Sequence, residues 1–237
     1  LGIIMKLYQT LLSLAIATLM YHAAPAQAAP ALTYAGDNPH IVNLANTNAW
    51  LEIDTEAYGH NIEAMRAHLG GKSQICAILK ADAYGFGIDN LMPTVMEHKV
   101  PCIGIASNEE ARIARKHGYK GRVMRVRTAT NQEIEDGLKY NVEELFGTLK
   151  QAQTANDIAR AAGVVINFHM ALNDGGMDRN GLDLSVEKSK QDALTINKLK
   201  NLHIVGIITH FPVEDKKKKK KGLASFKRNT DWLIKTA

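Results

Sequence analysis

What this chain has little of narrows the field first. Beyond residue 28, no apolar run approaches the roughly 20 residues needed to cross a bilayer, so no membrane-spanning segment is expected there. A true basic surplus is also missing. The net charge is +5, but six lysines form one run, Lys216–Lys221, and without them the balance falls to −1. The high pI therefore describes one stretch rather than a basic face, and no nucleic-acid partner is expected. Cysteine is nearly absent: Cys76 and Cys102 stand alone and allow one bridge at most. The rest is ordinary for a globular protein, with 46% hydrophobic and 22% charged residues. A chain of 237 residues can bury a sizeable core in one large domain or two small ones.

The first 28 residues read as a secretory signal. Met5-Lys6 is a short positive start, Leu11–Met20 is an apolar stretch too short to span a bilayer, and Ala26-Gln-Ala28 supplies the small residues of a cleavage site. Cleavage after Ala28 places the mature protein in the periplasm, with no membrane contact after cleavage; an uncleaved anchor is the alternative. Residues 29–47, with Pro30, Gly36 and Pro39, read as a leader segment. The folded domain is expected over 48–237.

Within it, Trp50–Asp54 reads as a short strand. Thr55 is placed to cap the following helix, which presents Tyr58, Ile62, Met65 and Leu69 on one face and ends at Gly70-Gly71. Strands are then expected at 75–80, 102–107, 121–127, 143–148, 165–173 and 204–211, with helices at 88–98, 108–117, 131–140, 150–162, 185–200 and 222–236. This alternation implies an α/β fold with a parallel sheet and right-handed crossovers. Six units without a reversal favour a (β/α)8 TIM-type barrel over a doubly wound open sheet. About six βα units cannot close eight strands, and the sequence stops inside a helical pattern, so a fragment of a longer protein is expected.

Function in a barrel gathers at the C-terminal strand ends, here Lys80, Ser107, Arg127, Thr148, Asn173 and His210. Lys80 closes the apolar run Ile75–Leu79. Desolvation there would lower its pKa and make it a usable amine; an ordinary surface lysine is the alternative. In strand three, Arg125 and Arg127 share one face and Met124 and Val126 the other. If the apolar pair packs on the helices, both guanidiniums enter the barrel mouth and require anionic partners; an internal salt bridge is the competing reading, above all for Arg125. In strand five, Asn167, His169, Ala171 and Asn173 are expected to line the lumen, with His169 a satisfied core histidine. Alternation brings Cys76 and Cys102 to matching faces of adjacent strands, where a disulfide can form; two buried thiols are the alternative. The lysine run reads as a solvated, disordered turn, with anionic-surface binding as the weaker option. No residue is assigned to a metal.

Lys80-Ala-Asp-Ala-Tyr84-Gly-Phe-Gly87 resembles the cofactor-lysine motif of the alanine racemase family, and Gly176-Met-Asp-Arg-Asn-Gly181 and Thr209-His210-Phe211 extend the likeness. Ser107-Asn-Glu-Glu-Ala111, Arg125-Val-Arg127 and His169–Asn173 point to its periplasmic broad-specificity branch. The likeness runs over about residues 48–237; one departure is Phe86, where the family often has histidine. The resemblance implies a barrel followed by a C-terminal β domain, and pyridoxal 5'-phosphate held by Lys80 as an aldimine. It further implies racemisation of free amino acids by Cα proton abstraction, with Lys80 as catalytic base or acid. By the same likeness, Tyr84 bonds the cofactor phosphate, His210 packs on its ring, and Arg179 lies near its hydroxyl and the substrate carboxylate. Arg127, Asn173 and Asn180 shape the substrate pocket with Arg179. The second proton donor would be a tyrosine from the C-terminal domain of a partner subunit in a homodimer, so residues 1–237 alone are not expected to racemise. Other readings are a basic amino acid decarboxylase, a D-amino acid dehydratase, or a non-catalytic carrier of the same cofactor.

Overall fold

A computed structural model of the chain describes residues 48–49, 51–175, 181–211 and 215–236. The signal and leader expected over 1–47 lie outside the described residues, as do Arg179 and Asn180. From residue 52 the order is α1 (Thr55–Leu69), β1 (Cys76–Ile78), a tight turn (Lys80–Tyr84), α2 (Ile88–Glu97), β2 (Cys102–Ile105), α3 (Asn108–Lys116) and β3 (Arg122–Arg125). It continues with α4 (Asn131–Gly137), β4 (Val142–Phe146), α5 (Leu149–Ala162), β5 (Ile166–Ala171), α6 (Glu187–Asn197), β6 (Leu202–Ile208) and α7 (Lys216–Thr236). The six strands are all parallel and lie side by side in sequence order. This is the expected α/β architecture: six consecutive strand–helix units of a partial barrel.

Helix ends follow local chemistry. Ser107, Thr130 and Thr148 accept backbone N–H bonds from the third residue beyond them, and the first two form full capping boxes with Glu110 and Glu133. Helix α1 departs from expectation: Asp54, not Thr55, caps it by accepting from Ala57 N at 2.8 Å. Met65 is exposed rather than on the packed face, and residues 51–54 form no strand. Gly70 ends the helix in the left-handed conformation.

The core lies between strands and helices. One cluster gathers Met92, Val95, Ile103, Ile105, Ala114 and Val123; another gathers Phe146, Phe168, Met170, Ala155, Ile196 and Leu233. Each fully buried large aliphatic or aromatic side chain of this kind contributes about 1.5–3 kcal/mol. The Lys216–Lys221 run corrects the expectation of a disordered turn: it forms the first turns of α7. Asp215 Oδ1 accepts from Lys217 N at 2.8 Å and Lys218 N at 3.1 Å, which caps the helix. All six lysines are exposed, while Gly222 and Leu233 dock the helix onto the domain. Among the described residues, no helix is long and apolar enough to cross a membrane.

Cys76 pairs in register with Cys102, their Cα atoms are 4.4 Å apart, and the two sulfurs are bonded. The bridge closes a loop across a separation of 26 residues. In the chain-entropy account, such a loop contributes roughly 3–4 kcal/mol. The Cys76→Ser/Cys102→Ser variant is expected to lose about that much in urea unfolding, and an unchanged midpoint would contradict the assignment.

Candidate active site

Lys80 follows Leu79 directly, and the chain then does something no local propensity favours. Ala81, Asp82, Ala83 and Tyr84 stand at φ 54°, 53°, 55° and 57°, a full left-handed turn built from residues with side chains. Each such residue costs about 1–2 kcal/mol, so the turn persists only because other groups hold it. Ala83 N donates to Leu79 O at 2.8 Å, Gly87 N to Asp82 O at 2.9 Å, and Ile88 N to Asp82 Oδ1 at 2.8 Å. Glu110 Oε1 accepts from Asp82 N at 3.1 Å. Gly87 continues at φ 80°, where glycine carries no Cβ penalty, and leads the chain into α2. Lys80 is thus the first residue of a turn rather than a strand end, and it is half-buried rather than sealed from water.

A cavity of about 220 Å³ opens beside it at the C-terminal ends of the strands. Its apolar wall includes Ile78, Met124, Val126, Leu145, Ala171 and Ile208, and Lys80, Tyr84, Thr209 and His210 supply its polar groups. The Lys80 ammonium lies 5.7 Å from the centre of the Tyr84 ring. The position of His210 depends on a close approach: a β-carbon on Gly175 would overlap the His210 carbonyl, and Gly175 N donates to Thr209 Oγ1 at 3.0 Å. Three of the expected residues, Lys80, Tyr84 and His210, therefore meet around one cavity.

Arg125 and Arg127 do not join them. Met124 and Val126 face the cavity, whereas Arg125 turns to the helix side, the reverse of the expected assignment. Alternation identifies which residues share a face, not which face is the lumen. Arg125 is fully buried and makes two bonds to Glu144, at 2.8 and 3.1 Å, with further bonds to Asn108 Oδ1 at 2.6 Å and Ala106 O at 3.2 Å. This is the internal salt bridge. Burial pushes the Glu144 carboxyl up, against the pull of Arg125. Arg127 pairs with Glu133 at the start of α4 and is not among the residues lining the Lys80 cavity. Asn173 lines a different, polar cavity with Asp174, Ser225 and Asn229. Ser107 and Thr148 serve as helix caps. Phe86 is half-exposed.

The apolar half of strand five matches its expected face: Phe168, Met170 and Leu172 pack with the helices, while of the expected lumen set Ala171 lines the Lys80 cavity and Asn167 and Asn173 do not. His169 is satisfied, its Nε2 lying 2.8 Å from Glu143 Oε2. Glu143 also accepts twice from Arg122, at 2.8 Å each. Burial raises the Glu143 carboxyl, but the His169 and Arg122 bonds outweigh it and hold it at about 2. Because the folded value lies below the unfolded one, this stabilisation is complete above the ordinary value of 4.5 and is lost as pH falls toward 2. Between neutral pH and about pH 3, Glu143→Gln is expected to lose less stability than the wild type, by on the order of 2 kcal/mol. Parallel urea-unfolding curves against pH for the two proteins would contradict this.

Sequence reasoning missed Thr209's place in the cavity, the apolar wall and the role of Glu110. The Ser107-x-x-Glu110 spacing was a visible capping-box signal, but nothing local linked Glu110 to the turn after Lys80.

A parallel strand–helix wheel with an amine, a phenol and an imidazole gathered at its C-terminal mouth defines an α/β-barrel domain with its reactive groups where barrels carry them. The family model described as alanine racemase, N-terminal domain, matches residues 53–237, and the chain belongs to that family. It is 52% identical over 227 residues to a broad specificity amino-acid racemase of Aeromonas hydrophila, covering 95% of this chain and 55% of that protein. It is 46% identical over 233 residues to a broad specificity amino-acid racemase of Pseudomonas putida, covering 98% and 57%. Among solved structures, alanine racemase of Clostridium difficile 630 matches with a TM-score of 0.71 and 26% identity, over 78% of this chain and 51% of that one. The chain spans little more than half the length of the curated relatives it matches.

Proposed function

We propose that the full-length protein containing this chain interconverts the L and D forms of free amino acids, with broad specificity, using pyridoxal 5'-phosphate and Lys80. The observation that carries this reading is the single cavity shared by Lys80, Tyr84 and His210 in a chain of this family. The lining suits the cofactor: a primary amine for its carbonyl carbon, a phenol hydroxyl for its phosphate, and an imidazole and apolar wall for its ring. When bound, pyridoxal phosphate supplies an electron sink that acidifies an amino acid's Cα–H bond. Lys80 then moves the proton at Cα on its own face. Met124, Val126 and Leu145 belong to the apolar lining that limits water around the amine. Arg179 and Asn180, outside the described residues, remain assigned to the substrate carboxylate and pocket by family likeness; the placement of Arg127 and Asn173 gives their substrate roles no support.

The same proposal places the protein in the periplasm after cleavage behind Ala28, as a homodimer. The Cys76–Cys102 bridge supports export, because such bonds persist in oxidising compartments. Incubation of the full-length protein with single L-amino acids and pyridoxal phosphate in deuterated water tests the reaction. D-isomer carrying deuterium at Cα is expected. Release of carbon dioxide or ammonia in its place would reject racemisation in favour of decarboxylation or dehydration.

A further inference from the structure

We propose that Glu110 is a positioning residue for Lys80, holding the left-handed turn that aims the amine into its cavity; this rests on the cofactor role given to Lys80 above. Glu110 sits at the third position of α3 and is only 7% exposed. A capping-box glutamate needs one oxygen for its task. Here Oε2 performs it, accepting from Ser107 N at 3.1 Å and also from Ala106 N at 2.6 Å. That leaves Oε1 for another element altogether, and it takes the backbone N–H of Asp82, two residues after Lys80 and 28 before Glu110. Asp82 is the first residue of the left-handed turn whose N–H is tied to another strand–helix unit. Its own carboxylate then caps α2 through Ile88 N. The end of β2, the start of α3, the turn and the start of α2 thus meet on two carboxylates.

Glu110 is itself anchored from behind. Arg125 donates to Ala106 O and Asn108 Oδ1, the residues on either side of Ser107, while holding Glu144. A buried polar seam therefore runs from β4 through β3 and the β2–α3 junction to the Lys80 turn, on the helix side of the sheet. The cavity's own wall is mostly apolar, so rigidity of the Lys80 backbone comes from this seam and not from contacts around the amine.

Glu110→Gln separates the two oxygens. Glutamine at this position still caps α3 with its carbonyl oxygen. Its amide NH2 then faces the Asp82 N–H, donor against donor, and the turn loses its clamp; the reverse orientation would set the NH2 against two N–H groups. Ser107→Ala is the complementary control: it removes the hydroxyl half of the cap and leaves both Glu110 oxygens bonded. The full-length protein is incubated with pyridoxal phosphate and reduced with borohydride at timed intervals, and the adduct on the Lys80 peptide is counted by mass; melting temperatures are recorded in parallel. Glu110→Gln is expected to capture about tenfold more slowly or worse, with a melting temperature lowered by only a few degrees and the protein fully folded at the assay temperature. Ser107→Ala is expected to melt lower and capture at the wild-type rate. Capture by Glu110→Gln at the wild-type rate, or a loss that only follows the fraction unfolded, would overturn the proposal. Failure of the wild type to form the adduct would instead overturn the cofactor role of Lys80.

Discussion

Exchange of Lys80 for alanine in the full-length protein is expected to lower racemisation by about 10³-fold or more. The size follows from the two tasks this amine has: holding the cofactor's carbonyl carbon and moving the Cα proton. Among the described residues the cavity offers no second lysine, its other polar lining groups being Tyr84, Thr209 and His210. The left-handed turn is held by backbone and carboxylate bonds rather than by the ammonium, so folding should be little affected, within about 0.5 kcal/mol. Chiral chromatography of the reaction products, with urea unfolding alongside, reads both quantities. Substantial D-isomer formation by a well-folded Lys80→Ala protein would remove the lysine from the mechanism.

Arg125→Ala is expected to be the most destabilising single change, at about 3–5 kcal/mol, because it leaves a charge buried without its partner. The Glu144 side chain is only 3% exposed and Arg125 is fully buried, so water cannot replace the lost guanidinium. Burial already pushes the Glu144 carboxyl up with Arg125 present. Without Arg125 the carboxyl should be protonated at a higher pH still, so the penalty of the variant should shrink in acid. Replacement of both residues, as Arg125→Met with Glu144→Leu, should recover most of the loss, since an apolar pair carries no desolvation penalty. Urea unfolding of the single and double variants at two pH values checks this. A single variant within about 1 kcal/mol of the wild type, or a double variant less stable than the single, would show that this ion pair does not govern the stability of the domain.

Much of the architecture was legible in the residues. Apolar runs spaced by amphipathic stretches gave the six strand–helix units, with strand ends drawn longer than they are. The Ser107-x-x-Glu110 spacing is a capping-box signal that the sequence carried unread, and period-2 alternation put Cys76 opposite Cys102. What alternation cannot give is the identity of the lumen when both faces are buried. Arg125 looked like a group in search of an anion in the barrel mouth, and its anion is Glu144 on the adjacent strand, an acid whose position across the sheet no local pattern marks. The left-handed turn was equally hidden. Ala-Asp-Ala-Tyr has no composition that demands positive φ, and one of the bonds holding the turn comes from Glu110, 28 residues away. The lysine run misled in the other direction: mutual repulsion suggested an unfolded turn, but Asp215 caps the helix and apolar residues farther along α7 dock it. Three residues of the site, Lys80, Tyr84 and His210, came from family likeness and converge in space; Arg127 and Asn173 came the same way and do not.

Everything proposed for the reaction requires Lys80 to be the amine that takes up the cofactor. Borohydride reduction of the wild-type protein after incubation with pyridoxal phosphate, followed by digestion and mass mapping, measures this directly. A single stoichiometric adduct on the peptide bearing Lys80 is expected. An unmodified Lys80, with adducts scattered over Lys216–Lys221 or other surface lysines, would contradict it.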